Sequence, residues 1–155
     1  MLIYRRFSKA DAAACFDVFY NAVRRGTIAH YNEEQRKAWA PSAKMPENWP
    51  TRLSNQSCWV AISDSTPVGF MSMEGDGHVD LAFVAPDMTR QGVARSLYKH
   101  IEEDAKKLEL ERLFTEASHL ARPFFETQGW EVTLAETITY NGQSIERFQM
   151  AKDLG

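Results

Sequence analysis

Hydrophobic positions along the chain follow a helical period first and a strand period later. Ala12, Phe16, Phe19 and Val23 recur at helical spacing until Gly26 supplies a stop. Ser8, with Asp11 three residues on, has the form of a capping box that would start this helix. "LIYRRF" before it reads as an opening strand. A second, short helix is expected from Asn32, with Gln35 at the matching box position, ending before Pro41. The segment 41–53, "PSAKMPENWPTRL", is proline-rich and irregular, and reads as a surface loop carrying Trp49.

From Cys58 the pattern changes. "CWVAIS", the turn "DSTP", "VGFMSME", the turn "GDG" and "HVDLAFVAP" read as an antiparallel meander. In its last strand Val79, Leu81 and Phe83 alternate with Asp80, Ala82 and Val84. A long amphipathic helix follows, with Ala94, Leu97, Tyr98, Ile101, Ala105 and Leu108 on one face. On its opposite face Glu102–Lys106 and Glu103–Lys107 have favourable i,i+4 spacing. "LFTEAS" is another strand, so a right-handed crossover should set strands 79–85 and 113–118 parallel. A short helix about 120–128 ends at Gly129. "WEVTLAETITY" and "SIERFQMAK", joined by Asn141-Gly142, make a hairpin. The fold class is α/β, with a mixed, mostly antiparallel sheet and flanking helices.

The 155 residues suit one compact domain spanning 1–155. With 44% hydrophobic and 25% charged residues, global disorder is excluded. A net charge of −3 gives no general attraction to nucleic acid or anionic membrane, so any anion site must be local. No apolar run approaches a membrane span, and the first residues do not read as a signal peptide. Cys15 and Cys58 lie within apolar patterns and read as buried free thiols of a cytoplasmic protein. The histidines lack metal-ligand spacing, and no metal is assigned.

One loop carries chemistry. The first four N–H groups of a helix lack internal partners, and the peptide dipoles add about half a positive charge there. Thr89-Arg90-Gln91-Gly92-Val93-Ala94-Arg95 sits at such a start. Gly92 lets the backbone approach a bulky ligand, and Arg90 and Arg95 add fixed charge, so the loop suits a phosphate or pyrophosphate. A capped crossover turn with solvated arginines fits the same residues. Neither a Walker A sequence nor a three-glycine dinucleotide fingerprint is present.

The loop resembles the Gln/Arg-x-x-Gly-x-Gly/Ala signature of the GCN5-related N-acetyltransferases. Gly92 and Ala94 match it, while Thr89 departs from the usual Gln or Arg. The order and lengths of elements agree with the family over nearly the whole chain. "ASHLARPFFETQGW" looks like the family's Asn-x-x-Ala-x-x-x-Tyr-x-x-x-Gly-Phe segment, with Ser118 for Asn, Phe125 for Tyr and Trp130 for Phe. Together with "HYNEEQRKAWAP" and the closing "F.MAK", it looks most like the bacterial YafP-like subgroup.

The resemblance implies a bacterial, cytoplasmic enzyme that moves the acetyl group of acetyl-coenzyme A to a primary amine of a small molecule or peptide. The amine attacks directly in a ternary complex, without an acyl-enzyme. It implies a splayed central strand pair, with the pyrophosphate on residues 89 to 95 and the pantetheine arm near Phe83 and Val84. Ser118 and Phe125 border the same site, and the Val84 backbone N–H faces the thioester oxygen as an oxyanion donor. Losing such a donor costs about 3 kcal/mol of barrier in other enzymes. The acceptor ammonium must lose a proton, because alkyl amines have pKa values near ~10. Asp80 and Glu116 are the first choices as base and Glu74 the third, and each reads equally well as a solvated or structural carboxylate. Phe125 cannot supply the proton that the family's tyrosine gives the leaving thiolate; water, Ser118 or a nearby tyrosine remains. A non-catalytic coenzyme A sensor of the same fold is therefore the alternative. Tyr31, Trp39 and Trp49 read either as walls of an acceptor pocket or as core. No nucleic-acid or membrane partner is expected, and the chain is a monomer or homodimer.

Overall fold

The helical and strand patterns build two antiparallel sheets that touch along one edge. The computed structural model describes residues 1–155. Strand β1 (Leu2–Arg6) leads to α1 (Ala12–Gly26), α2 (Glu33–Trp39) and α3 (Trp49–Ser54). The meander β2 (Ser57–Ser63), β3 (Thr66–Met73) and β4 (Val79–Val84) follows, then α4 (Val93–Lys107) and β5 (Arg112–Ala117). Helix α5 (Arg122–Thr127) precedes the hairpin β6 (Glu131–Tyr140) and β7 (Gln143–Asp153). The first sheet has the order β1-β2-β3-β4 and the second β5-β7-β6.

Local signals explain most of these boundaries. Ser8 and Asp11 form the expected capping box, as do Asn32 and Gln35, with bonds of 2.8 and 2.9 Å. Asn141 and Gly142 both have positive φ, 46° and 83°, as a two-residue hairpin turn matching the strand twist requires. No helix is long and apolar enough to cross a membrane.

The two sheets meet at a single parallel bridge between His78 and Phe114. There Phe114 N–H donates to the Gly77 carbonyl at 3.1 Å, and Thr115 Oγ1 donates to the Val79 carbonyl at 2.7 Å. Beyond this point β4 and β5 run on in parallel without a ladder, leaving the expected splay.

Strand alternation divides the core into two layers. Val60, Ile62 and Phe70 face α1 and α3, whereas Ala61, Met71 and Met73 face Leu97, Tyr98 and Ile101 of α4. Gly69 sits under the start of α4, where an added Cβ would lie 2.9 Å from Val93 Cγ1 and 3.3 Å from the Phe83 carbonyl oxygen. Gly69→Val is therefore expected to cost about 1–3 kcal/mol through overpacking, read by chemical denaturation. An unchanged midpoint would show that α4 does not bear on β3 there.

Three expectations change. Residues 49–54 form α3, not part of a loop: Pro50 occupies the first turn, where its missing N–H is no loss. Trp49 is buried, edge-on to Phe16 at 5.2 Å, and its indole N–H donates to the Ala12 carbonyl at 3.0 Å. Leu108, expected on the buried face, caps the end of α4 and is 53% exposed, while Val93 is buried at the other end. Of the two helical ion pairs only Glu102–Lys106 closes, at 3.2 Å; Glu102 also binds Tyr98 and, at 3.1 Å, Lys152.

Asp104 ties α4 to the first sheet. Its carboxylate accepts both Arg6 guanidinium N–H groups at 2.9 Å and the Trp59 indole N–H at 2.9 Å. Burial works to raise the Asp104 carboxyl, but these bonds outweigh it and hold its pKa below the usual range. A lowered folded pKa stabilises above the unfolded value of about 3.9 and loses that contribution as pH falls through the folded value. Unfolding free energy should therefore drop with acid below about pH 4, and less steeply in Asp104→Asn.

Candidate active site

The loop after β4 is built around two left-handed residues. A short turn at Pro86–Met88 leads to Arg90, with φ 65°, and Gly92, with φ 78° and ψ 10°. Ser96 N–H is the first helix amide to find an acceptor, the Gly92 carbonyl at 3.0 Å, and none of the amides from Thr89 to Arg95 has a backbone partner. The space over Gly92 is open, with nothing within 4 Å of where a Cβ would stand. Unpaired donors, helix dipole and open space together make an anion cradle.

From this loop a cavity of about 840 Å³ runs across the mouth of the splay. Phe83, Val84, Thr89, Arg90, Gly92, Val93, Ala94, Arg95, Ser118 and Phe125 all line it. Gln91 does not; its side-chain amide turns back to the Asp87 carbonyl at 3.5 Å. Ala85 N–H donates to Val68 at 2.8 Å, so by strand alternation the Val84 N–H points to the other edge, toward the gap beside β5. Arg25 and Thr27, at the end of α1, also line the cavity. The Arg24–Arg25 pair is visible in the sequence, but only the fold carries Arg25 to this cavity, while Arg24 donates to the Ala40 carbonyl at 2.7 Å.

A second cavity, of about 430 Å³, lies on the other side of β4. Tyr31, Trp39, Trp49, Asp80 and Glu116 line it, and Trp39, Phe83 and Ser118 line both cavities. Tyr31 and Trp49 serve as wall and core at once, whereas Trp39 is a half-buried wall. Tyr31 is almost wholly buried; its hydroxyl donates to the Glu146 carbonyl at 2.8 Å and accepts from His119 N–H at 3.0 Å.

The three carboxylates named from sequence gather around one residue, His78. Asp80 accepts two N–H groups of Arg52, both at 2.9 Å, and the Gln56 amide at 2.9 Å. Burial would raise its pKa, but Arg52 and Gln56 hold it below the usual carboxylate range. Glu116 Oε1 lies 2.8 Å from His78 Nε2, and Glu74 Oε1 lies 2.6 Å from His78 Nδ1. Ligand atoms of Glu74, His78 and Asp80 come within 4.8 Å of one another, a spacing that can hold a cation. Each of these groups already has a polar partner within the protein, so the cluster reads as a hydrogen-bonded network, ionic at His78 only when the ring is protonated, and not as a metal centre.

Neither cysteine fits a nucleophile. Burial pushes the Cys15 thiol up to about 12 and raises Cys58 as well, so both stay protonated. Phe125 is buried against Trp130, with ring centroids 4.7 Å apart. Ser118 Oγ accepts the Ala121 N–H at 3.1 Å, which leaves its own proton uncommitted on the wall shared by both cavities.

An amide cradle, a splayed strand pair and a second pocket that joins it at the fork suit a group transferase working from a phosphate-bearing co-substrate. Residues 27–154 match the family model of the acetyltransferase (GNAT) domain, and the chain belongs to this family, with acetyl-coenzyme A as co-substrate. It is 31% identical over 146 residues, 94% of this chain and 92% of the other, to the uncharacterized N-acetyltransferase YafP of Escherichia coli K12. The crystal structure of a GCN5-related N-acetyltransferase from Rhodopseudomonas palustris superposes with a TM-score of 0.92 at 31% identity, covering 98% of this chain and 95% of that one. The PaiA N-acetyltransferase of Thermoplasma acidophilum, solved in complex with coenzyme A, shares the fold with a TM-score of 0.77 at 18% identity over 99% of both chains.

Proposed function

We propose that residues 1–155 form one N-acetyltransferase domain that acetylates a primary amine of a small molecule or peptide by direct attack in a ternary complex. The observation that carries this reading is the pair of cavities sharing Trp39, Phe83 and Ser118. A thioester entering from one side and an amine from the other would meet at that wall. The amides of residues 89 to 95 hold the pyrophosphate, with Arg90, Arg95 and Arg25 adding charge. The backbone beside Phe83 and Val84 lines the pantetheine path, and the Val84 N–H faces the thioester oxygen. The bound co-substrate supplies an activated acetyl carbonyl with a thiolate leaving group.

Glu116 is the better placed base. It lines the amine pocket, and its contact to His78 leaves oxygen lone pairs free, whereas three N–H groups already occupy the Asp80 carboxylate. A weakly paired carboxylate accepts a proton more readily than one clamped by a guanidinium. Ser118 stands in for the missing tyrosine, with its hydroxyl proton free on the wall where the two cavities meet. Thiols of pKa about 8.5 leave without full protonation, so Phe125 does not preclude turnover. The aromatic walls favour an amine carrying an apolar or flat body. The working form is a bacterial, cytoplasmic monomer or homodimer.

Thiol release from acetyl-coenzyme A with an amine panel tests the reading. Turnover of at least one amine is expected. Coenzyme A binding without turnover would instead support a sensor domain of the same fold.

A further inference from the structure

We propose that His78 carries the acceptor's proton out of the active site, so that Glu116, His78 and Glu74 form its exit route to solvent. The inference rests on the acetyltransferase reading above and extends it to residues that line neither cavity.

The geometry is that of a relay. Glu116 lines the amine pocket, while Glu74 and His78 do not. The imidazole spans the carboxylates, 2.8 Å from Glu116 at Nε2 and 2.6 Å from Glu74 at Nδ1. Side-chain exposure is 30% at Glu116, falls to 17% at His78 and rises to 49% at Glu74, so the route passes under the surface and emerges at Glu74. The ring cannot turn freely. It stacks on Phe114 at 5.1 Å and 25°, at the one bridge joining the two sheets. The backbone is pinned as well: His78 N–H donates to Asp76 Oδ1 at 3.1 Å, and the His78 carbonyl accepts Glu74 N–H at 2.8 Å.

The proton balance closes. An N–H bond of the substrate ammonium breaks as an O–H bond forms on Glu116. That proton passes to the bare Nε2 of a neutral imidazole whose Nδ1–H points at Glu74. The imidazolium gives its Nδ1 proton to the Glu74 carboxylate, which releases it to water. Exchange with water restores the starting tautomer, and the ammonium has lost one proton to solvent. No electrons change hands. The charged groups facing the ring are Glu74 from the end of β3, Asp80 from β4 with its partner Arg52 from α3, and Glu116 from β5. Burial opposes charge on His78, but its bonds to Glu74 and Glu116 prevail and raise its pKa above the ordinary value. As pH falls through that raised value, a proton fills Nε2 and blocks the route.

The test compares pH profiles of thiol release from acetyl-coenzyme A with tyramine, spermidine and a lysyl peptide as acceptors. His78→Gln and Glu74→Gln should each lower kcat on the order of 10-fold, with KM for acetyl-coenzyme A unchanged, the loss staying below that of a missing base because Glu116 remains. The acid limb assigned to His78 should vanish in His78→Gln, and added imidazole should restore rate to His78→Ala. Wild-type profiles in both Gln variants, or an equal loss at every pH without imidazole rescue, would overturn the relay while leaving the acetyltransferase reading intact. If wild type turns over none of these amines, both readings fall together. Glu74→Gln keeps the test open should the His78 variants fold poorly, because Glu74 is half-exposed at a strand end.

Discussion

The Gly92→Glu variant is expected to fold normally and to lose about 100-fold in affinity for acetyl-coenzyme A, measured by calorimetry. Gly92 holds φ 78° with open space above it, so a side chain meets no clash and the fold can accept it with backbone strain alone. That strain is about 1–2 kcal/mol for a residue with a Cβ. Charge matters more for binding. A carboxylate near the diphosphate repels it by several kcal/mol at an effective dielectric of about 20, and about 3 kcal/mol corresponds to a 100-fold loss. Gly92→Ala is the control, since it carries strain without charge and should lose less than about tenfold. Equal affinities for Gly92→Glu and wild type would mean that the phosphates lie elsewhere.

Replacing Glu116 by Gln is expected to lower kcat by about 100-fold near neutral pH, at the lower end of what a positioned base contributes. KM for acetyl-coenzyme A should hold, because Glu116 faces the other cavity. The deficit should shrink as pH approaches about 10, where more of the amine is already unprotonated. Asp80→Asn should cost less, since its carboxylate chiefly holds Arg52 and Gln56. A larger loss in Asp80→Asn than in Glu116→Gln would exchange the two assignments.

Features encoded by neighbouring residues are legible in the chain itself. The capping boxes at Ser8 and Asn32, the Asn141-Gly142 turn and the amphipathic crossover helix each depend on residues a few positions apart. Gly92 and Ala94 fall within the same range, and both line the cavity at the start of α4. Other features depend on distant contacts. Helix α3 is hidden because prolines at 46 and 50 read as breakers, although Pro50 sits where a helix tolerates it. Arg25 reaches the cavity only because α1 ends beside the turn after β4. His78 gives no signal at all in the sequence. Glu116 lies dozens of residues away along the chain, and the bridge that joins the two sheets is what brings it to the ring opposite Glu74.

The buried thiols carry a practical consequence for the bench. Cys15 and Cys58 are the chain's two cysteines, sealed from solvent with ionisation pushed far above neutral pH. A colorimetric reagent that needs an exposed thiolate will find none on the folded protein. Colour developing in such an assay then counts liberated coenzyme alone, and a rising blank would report unfolding in the cuvette.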